Sequence, residues 1–191
     1  MKTINVELQG TTPLLCNAFT DAAQQAATNG TRAATIGNKG TPREQASSKL
    51  YLDSKGKPCI PQPNLLRCII DAGKFFKAGK SKVTTIKSSL IPACVDIEGI
   101  DVPLQHLDEW SVDSRPVRIP ATGGRIVANR PRFDDWKLSF TMMLDDSVMT
   151  VELLREIVDA AGSRIGLGDF RPDCKGPFGK FKVTKWQVTV S

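Results

Sequence analysis

An α+β fold is predicted by two hydrophobic periodicities and by the order in which they occur. Apolar residues alternate over 2–9, 136–144 and 178–190, the period of half-buried strands, while 64–72 and 151–162 carry helical apolar faces. With the long insertions removed, the order reads βαββαβ, the arrangement of a ferredoxin-like core. A large insertion follows the first strand, and an arginine-rich hairpin precedes the third.

Ile4, Val6 and Leu8 share one face of the opening strand, and Gly10-Thr11-Thr12-Pro13 breaks it. Residues 17–40 are rich in Ala, Thr, Asn, Gln and Gly and nearly lack large apolar side chains, so they read as a protruding loop containing Arg32 and Lys39, with a short helix possible over 21–27. Thr41-Pro-Arg-Glu44 has the spacing of a capping box, predicting a short helix through Tyr51. Asn64 is the expected N-cap of the next helix, whose apolar face is Leu65, Leu66, Ile69, Ile70 and Ala72. Lys74, Lys77, Lys80 and Lys82 surround its end, where they complement the helix dipole and offer a place for phosphate.

Residues 83–97 read as one or two strands, and 101–114 as a polar connection. The stretch 115–132 is a basic hairpin with Arg115, Arg118, Arg125, Arg130 and Arg132 and a Gly123-Gly124 tip. After the strand at 136–144 and the helix at 151–162, a glycine-rich segment leads into the last strand. It carries Arg164, Phe170, Arg171, Lys175, Phe178 and Lys180, which is the composition of a loop contacting a sugar–phosphate chain, with rings available for stacking.

The chain has 191 residues, enough for one domain, 1–191. It holds 26 Lys+Arg against 20 Asp+Glu, a net charge of +6, which favours polyanionic partners through counterion release. Five cysteines at wide spacing and a single histidine, His106, do not make a local zinc motif, so no metal is expected and the thiols read as free in a reducing compartment. Neither a P-loop nor a dinucleotide fingerprint is present, and no cofactor is expected. The opening MKTINVELQG is unlike a signal peptide, and no apolar run approaches the roughly 20 residues of a membrane span, which predicts a cytoplasmic protein without membrane contact.

Three blocks carry a family resemblance. Gly10-Thr-Thr-Pro-Leu-Leu15 resembles the opening G-x-x-P-L of the repeat-associated mysterious protein (RAMP) superfamily. Gly56-Lys-Pro-Cys-Ile-Pro-Gln-Pro-Asn-Leu-Leu-Arg67 resembles its P-x-I-P-G-S-S-x-K-G-x-x-R, with Gln62-Pro63-Asn64 in place of Gly-Ser-Ser and Leu66 in place of the lysine. Gly166-Leu-Gly-Asp-Phe-Arg-Pro and Gly176-Pro-Phe-Gly-Lys-Phe resemble its C-terminal glycine-rich loop. The chain also looks like small phage proteins with the same three blocks. The resemblance implies a subunit of a CRISPR-type complex that polymerises along a guide RNA, with 17–48 as a thumb-like insertion over the strand or a neighbouring subunit.

Residues and resemblance together predict a non-catalytic protein that binds single-stranded RNA, or else DNA, and assembles along the strand or within a CRISPR-type complex. The expected contacts are Arg32, Lys39, Arg67, Lys74, Lys77, the hairpin arginines and the loop residues named above. The reading requires hairpin and loop to line one open groove. Two alternatives remain: a metal-dependent ribonuclease of the same fold, for which Asp21 is the one weak catalytic candidate, and a phage-encoded factor that acts on a CRISPR complex through protein contacts. Asp134-Asp135 and Asp145-Asp146 are read as turn residues flanking a strand.

Overall fold

The computed structural model describes residues 1–29, 40–118 and 123–190. Arg32 and Lys39 lie outside the described residues, as do residues 119–122 of the arginine-rich stretch. Among the described residues, no helix is long and apolar enough to cross a membrane.

The chain is mixed α and β, with antiparallel sheets. Strand β1 (Lys2–Gly10) is followed by β2 (Leu14–Leu15), helices α1 (Asp21–Thr28) and α2 (Pro42–Ser47), strand β3 (Cys59–Pro61) and helix α3 (Gln62–Ala72). A small hairpin, β4 (Lys77–Ala78) and β5 (Ser81–Lys82), leads to α4 (Ile91–Cys94), β6 (Val95–Ile97) and β7 (Asp101–His106). Then come β8 (Ser111–Arg118), β9 (Arg125–Phe133), β10 (Trp136–Leu144), α5 (Val151–Ala160) and β11 (Phe181–Val190).

In the main sheet β1 lies between β11 and β10, and β10 pairs at one end with β6 and at the other with β7, which continues to β3. The register between β1 and β11 shifts between Glu7 and Leu8. One sheet face is apolar: Ile4, Val6 and Leu8 join Leu138 and Met142, and Leu65 and Ile69 of α3 and Leu154 and Ile157 of α5 complete the same core. Burying each such side chain contributes about 1.5–3 kcal/mol, which explains why the strict alternation of β1 and β10 specifies their register. The second sheet, β2-β9-β8, is built on the hairpin, and α2 packs across it. Its capping box is present, with Thr41 N donating to Glu44 Oε2 at 2.6 Å and Glu44 N to Thr41 Oγ1 at 3.3 Å.

Several elements differ from the sequence reading. Residues 83–97 give only the strand Val95–Ile97, because Thr85 and Ser88 close a tight turn that leaves Ile86 fully exposed and Pro92 opens a single helical turn. The stretch taken as a polar connection contains β7, where Val102 and Leu104 alternate inward between polar neighbours, and most of β8, held by pairing with β9 rather than by a buried face. Helix α3 starts two residues before Asn64, with Pro61 at its N-cap and no side-chain cap. Helix α2 stops at Ser47 rather than Tyr51.

Trp136 closes the main sheet over the end of β1. Its indole N–H donates to Thr12 O at 2.9 Å, and its ring lies over Gly10, where an added Cβ would fall 2.2 Å from Nε1. Gly10→Ala forces that buried ring aside and should cost about 1–3 kcal/mol in urea denaturation; a change under about 0.5 kcal/mol would contradict this close approach.

Candidate nucleic-acid interface

The glycine-rich segment follows a π-helical turn at Ala161–Ile165 and folds onto residues 11–15. Asp169 N donates to Leu15 O at 2.8 Å, Gly179 N to Pro13 O at 2.8 Å, Lys180 N to Thr12 Oγ1 at 2.9 Å and Thr11 N to Lys180 O at 2.8 Å. The glycines serve this internal fit. A Cβ on Gly168 would lie 2.3 Å from Leu15 O, and one on Gly179 would lie 1.8 Å from Leu167 O, both at positive φ. The sequence reading assigned these glycines to a ligand; their amides and close approaches are directed largely at the protein's own backbone.

The hairpin arginines are mostly held by carboxylates. Arg115 Nε donates to Asp113 Oδ1 at 2.8 Å, and its guanidinium lies 4.9 Å from the Phe178 ring centroid. Arg130, 9% exposed, faces Asp169 Oδ2 of the glycine-rich loop at 2.5 Å. Arg132 reaches Asp134 at 2.6 Å. Arg118 and Arg125 are opposite each other at the end of the β8–β9 ladder that adjoins 119–124 and have no ion pair among the described residues. Phe178 is buried against Arg115 and the half-buried Phe170, whose ring centroid is 6.1 Å away, so it is closed to a base. The expected common groove is therefore corrected: hairpin and loop touch, but through a buried ion pair and a buried ring.

The open groove lies along α3. A cleft of about 230 Å³ is lined by Asn17, Tyr51, Asn64, Arg67, Asp71 and Arg171, among others. A wider depression of about 850 Å³ shares Arg67 and Asp71 and runs on past Lys74, Lys82 and the 84–89 turn with Lys87. Neither cavity is lined by a hairpin arginine. Of the sequence-predicted contacts, Arg67, Lys74 and Arg171 come together here, each beside a carboxylate: Arg67 with Asp71 at 2.9 Å, Lys74 with Asp173 at 3.0 Å, Arg171 with Asp173 at 3.8 Å. Lys82 and Lys87 have no such partner among the described residues. Lys77 and Lys175 are exposed, Lys175 in the left-handed region, while Lys180 is half-buried. Arg164 stands 4.9 Å from the Phe75 ring centroid.

Asn17, Tyr51, Asn64 and Lys87 were missed by the sequence reading, since isolated polar residues on separate elements carry no pattern. Burial pushes the Tyr51 hydroxyl above its ordinary range, and a hydrogen bond with Asn64 opposes this. At the cleft floor Cys68 donates to Gly166 O at 3.2 Å, and burial pushes its thiol far up; the Cys16 thiol rises to about 12 for the same reason. Both are packing thiols.

The other face of the main sheet offers no stacking platform. Thr3, Asn5, Glu7, Ser139, Thr141 and Gln187 occupy it, with no ring among the paired positions of β1, β10 and β11 on that side. His106 is exposed, with Nδ1 2.8 Å from Asp108 O. Asp145 accepts from Ser147 N and Oγ in a turn, and these bonds hold its carboxyl below the usual range. Asp21 opens α1, and nothing of its side chain is described. Among the described residues, no three His, Cys, Asp or Glu side chains are grouped as a metal site.

No family model and no curated protein matches the sequence. Likeness reappears among solved structures. A chain in the cryo-EM structure of the Type III-B Cmr-beta bound to cognate target RNA aligns with a TM-score of 0.55 at 13% identity, over 98% of this chain and 60% of that one. The present chain thus spans 60% of that neighbour's length, and at this identity the likeness is one of fold. A chain of a Type IV-B CRISPR complex aligns with a TM-score of 0.44 at 12% identity, over 99% of this chain and 91% of that one.

The Arg130–Asp169 pair ties the hairpin to the wall of the cleft. Asp169→Ala strands a buried guanidinium and should cost about 3 kcal/mol of stability, and Arg130→Met added to it should restore most of the loss. Urea denaturation of both variants checks this; an unchanged midpoint for Asp169→Ala would contradict it.

Proposed function

We propose that this chain holds single-stranded nucleic acid, RNA before DNA, in the groove beside α3, as a RAMP-like subunit of a CRISPR-type complex. The observation that carries the reading is the pair of adjoining hollows along α3, which share Arg67 and Asp71. Their rim bears Arg67, Lys74 and Arg171, and their far end bears Lys82 and Lys87 without carboxylate partners among the described residues. A strand lying there exchanges condensed counterions for ammonium and guanidinium groups, which supplies affinity without reading bases. The carboxylates of Asp71 and Asp173 hold the neighbouring cations in place and lower the net field, so binding is moderate per subunit.

Two further observations support the reading. The sheet order β11-β1-β10-β6, with α3 and α5 on one face, is the one a ferredoxin-like βαββαβ chain produces. The fold likeness extends over nearly the whole chain to a subunit of an RNA-bound complex. The strand is held rather than cut, and successive subunits, further copies or other members of the complex, place their grooves end to end along it.

Fluorescence anisotropy with a labelled single-stranded RNA 15-mer, at salt from 50 to 300 mM, tests the proposal. Affinity should fall steeply with salt. Lys82→Ala with Lys87→Ala should flatten the logarithmic slope by about 0.7 for each contact removed, and Lys137→Ala on the open sheet face should leave it unchanged. The RNA should be recovered full-length after incubation with magnesium or manganese. Absence of binding at 50 mM salt would overturn the proposal, and metal-dependent cleavage would replace holding by cutting.

A further inference from the structure

Two adjacent phenylalanines follow α3, and they have opposite fates. Phe76 packs against the core, while Phe75 is 45% exposed. The short 3₁₀ turn Gly73–Phe75 lies tight on the 84 segment, where a Cβ on Gly73 would fall 2.4 Å from Thr84 Oγ1. That turn fixes Phe76 inward and Phe75 outward.

The exposed ring is not isolated. Arg164, from the π-helical turn after α5, places its guanidinium carbon 4.9 Å from the ring centroid, and Lys74 Nζ lies 5.2 Å from it. The two cations differ. Lys74 is anchored to Asp173 at 3.0 Å, whereas Arg164 has no carboxylate partner among the described residues. Its charge is therefore not neutralised locally, and its planar group is free to exchange one π surface for another. Lys77 is exposed two residues along. A single exposed aromatic is common on protein surfaces; an exposed aromatic carrying an uncompensated guanidinium, with exposed lysines on the same segment, is what a base-stacking station requires.

We infer that Phe75 and Arg164 form such a station, where one base of a single strand stacks on the ring and guanidinium while Lys77 meets an adjacent phosphate. The inference rests on the proposed nucleic-acid groove, which Lys74 also lines, and adds a base contact that the groove's cations do not provide. Stacking is indifferent to base identity because every base has a π face. It is also nearly indifferent to salt, unlike the phosphate contacts.

The test uses the full chain with labelled 15-mers of three kinds: uridine RNA, thymidine DNA and an abasic strand of the same length. Phe75→Leu should weaken the uridine strand about tenfold, within the range for loss of one stacked base. Its salt slope should not change. On the abasic strand Phe75→Leu and the unaltered chain should bind alike, and Phe75→Trp should restore binding to base-bearing strands. An equal effect on the thymidine strand extends the station to DNA, and an effect on uridine alone assigns it to RNA. If Phe75→Leu binds the uridine strand as the unaltered chain does, or weakens the abasic strand equally, the station is overturned while the groove stands. If the unaltered chain binds no strand, the groove itself fails.

Discussion

Everything on the groove side depends on the backbone hydrogen bonds between residues 11–15 and the glycine-rich loop. Three of them, Asp169 N to Leu15 O, Gly179 N to Pro13 O and Thr11 N to Lys180 O, are 2.8 Å long, and Lys180 N adds a bond to the Thr12 side-chain Oγ1 at 2.9 Å. They draw the end of β1 and the start of β11 together, and with them the hairpin that pairs with β2. Glycine is required because the chains meet backbone to backbone, at distances a Cβ would violate. Cys68 then hydrogen-bonds Gly166 O and docks α3 beside the loop, which sets the width of the cleft.

Charge on this molecule divides by residue type. Guanidiniums of the hairpin and α3 mostly meet carboxylates within a few residues or across the loop: Arg67 with Asp71, Arg115 with Asp113, Arg130 with Asp169, Arg132 with Asp134. Their planar forks suit such fixed geometry. Ammoniums around the β4–β5 hairpin and the 84–89 turn are left to solvent. Beside α3 the basic excess is therefore presented by lysines, while Arg118 and Arg125 stay exposed on the hairpin. A counterion-release interaction needs only accessible charge, and the lysines beside α3 supply it along one groove edge.

The fold was legible where packing imposes a period. Strands β1 and β10 alternate strictly, and α5 keeps its apolar face, so these elements follow from burial alone. The capping box at Thr41 and Glu44 was readable because it is a local hydrogen-bond pattern. Strand β7 was hidden by its polar neighbours, and 83–97 misled because Ile86 is apolar yet fully exposed. The site was less legible. Arg67, Lys74 and Arg171 were identifiable by charge, but Arg130 and Phe178 turned inward through partners distant in sequence, Asp169 and Arg115. Phe75 carried no signal, since nothing local says which of two adjacent phenylalanines faces solvent.

The central claim is that a strand lies along α3 and not across the open sheet. Lysine acetylation, read by mass spectrometry with and without bound RNA, tests it most directly. The account predicts that RNA shields Lys74, Lys77, Lys82 and Lys87 while Lys137 and Lys185 react as before. Shielding of Lys137 and Lys185, with the α3 lysines unchanged, would contradict it.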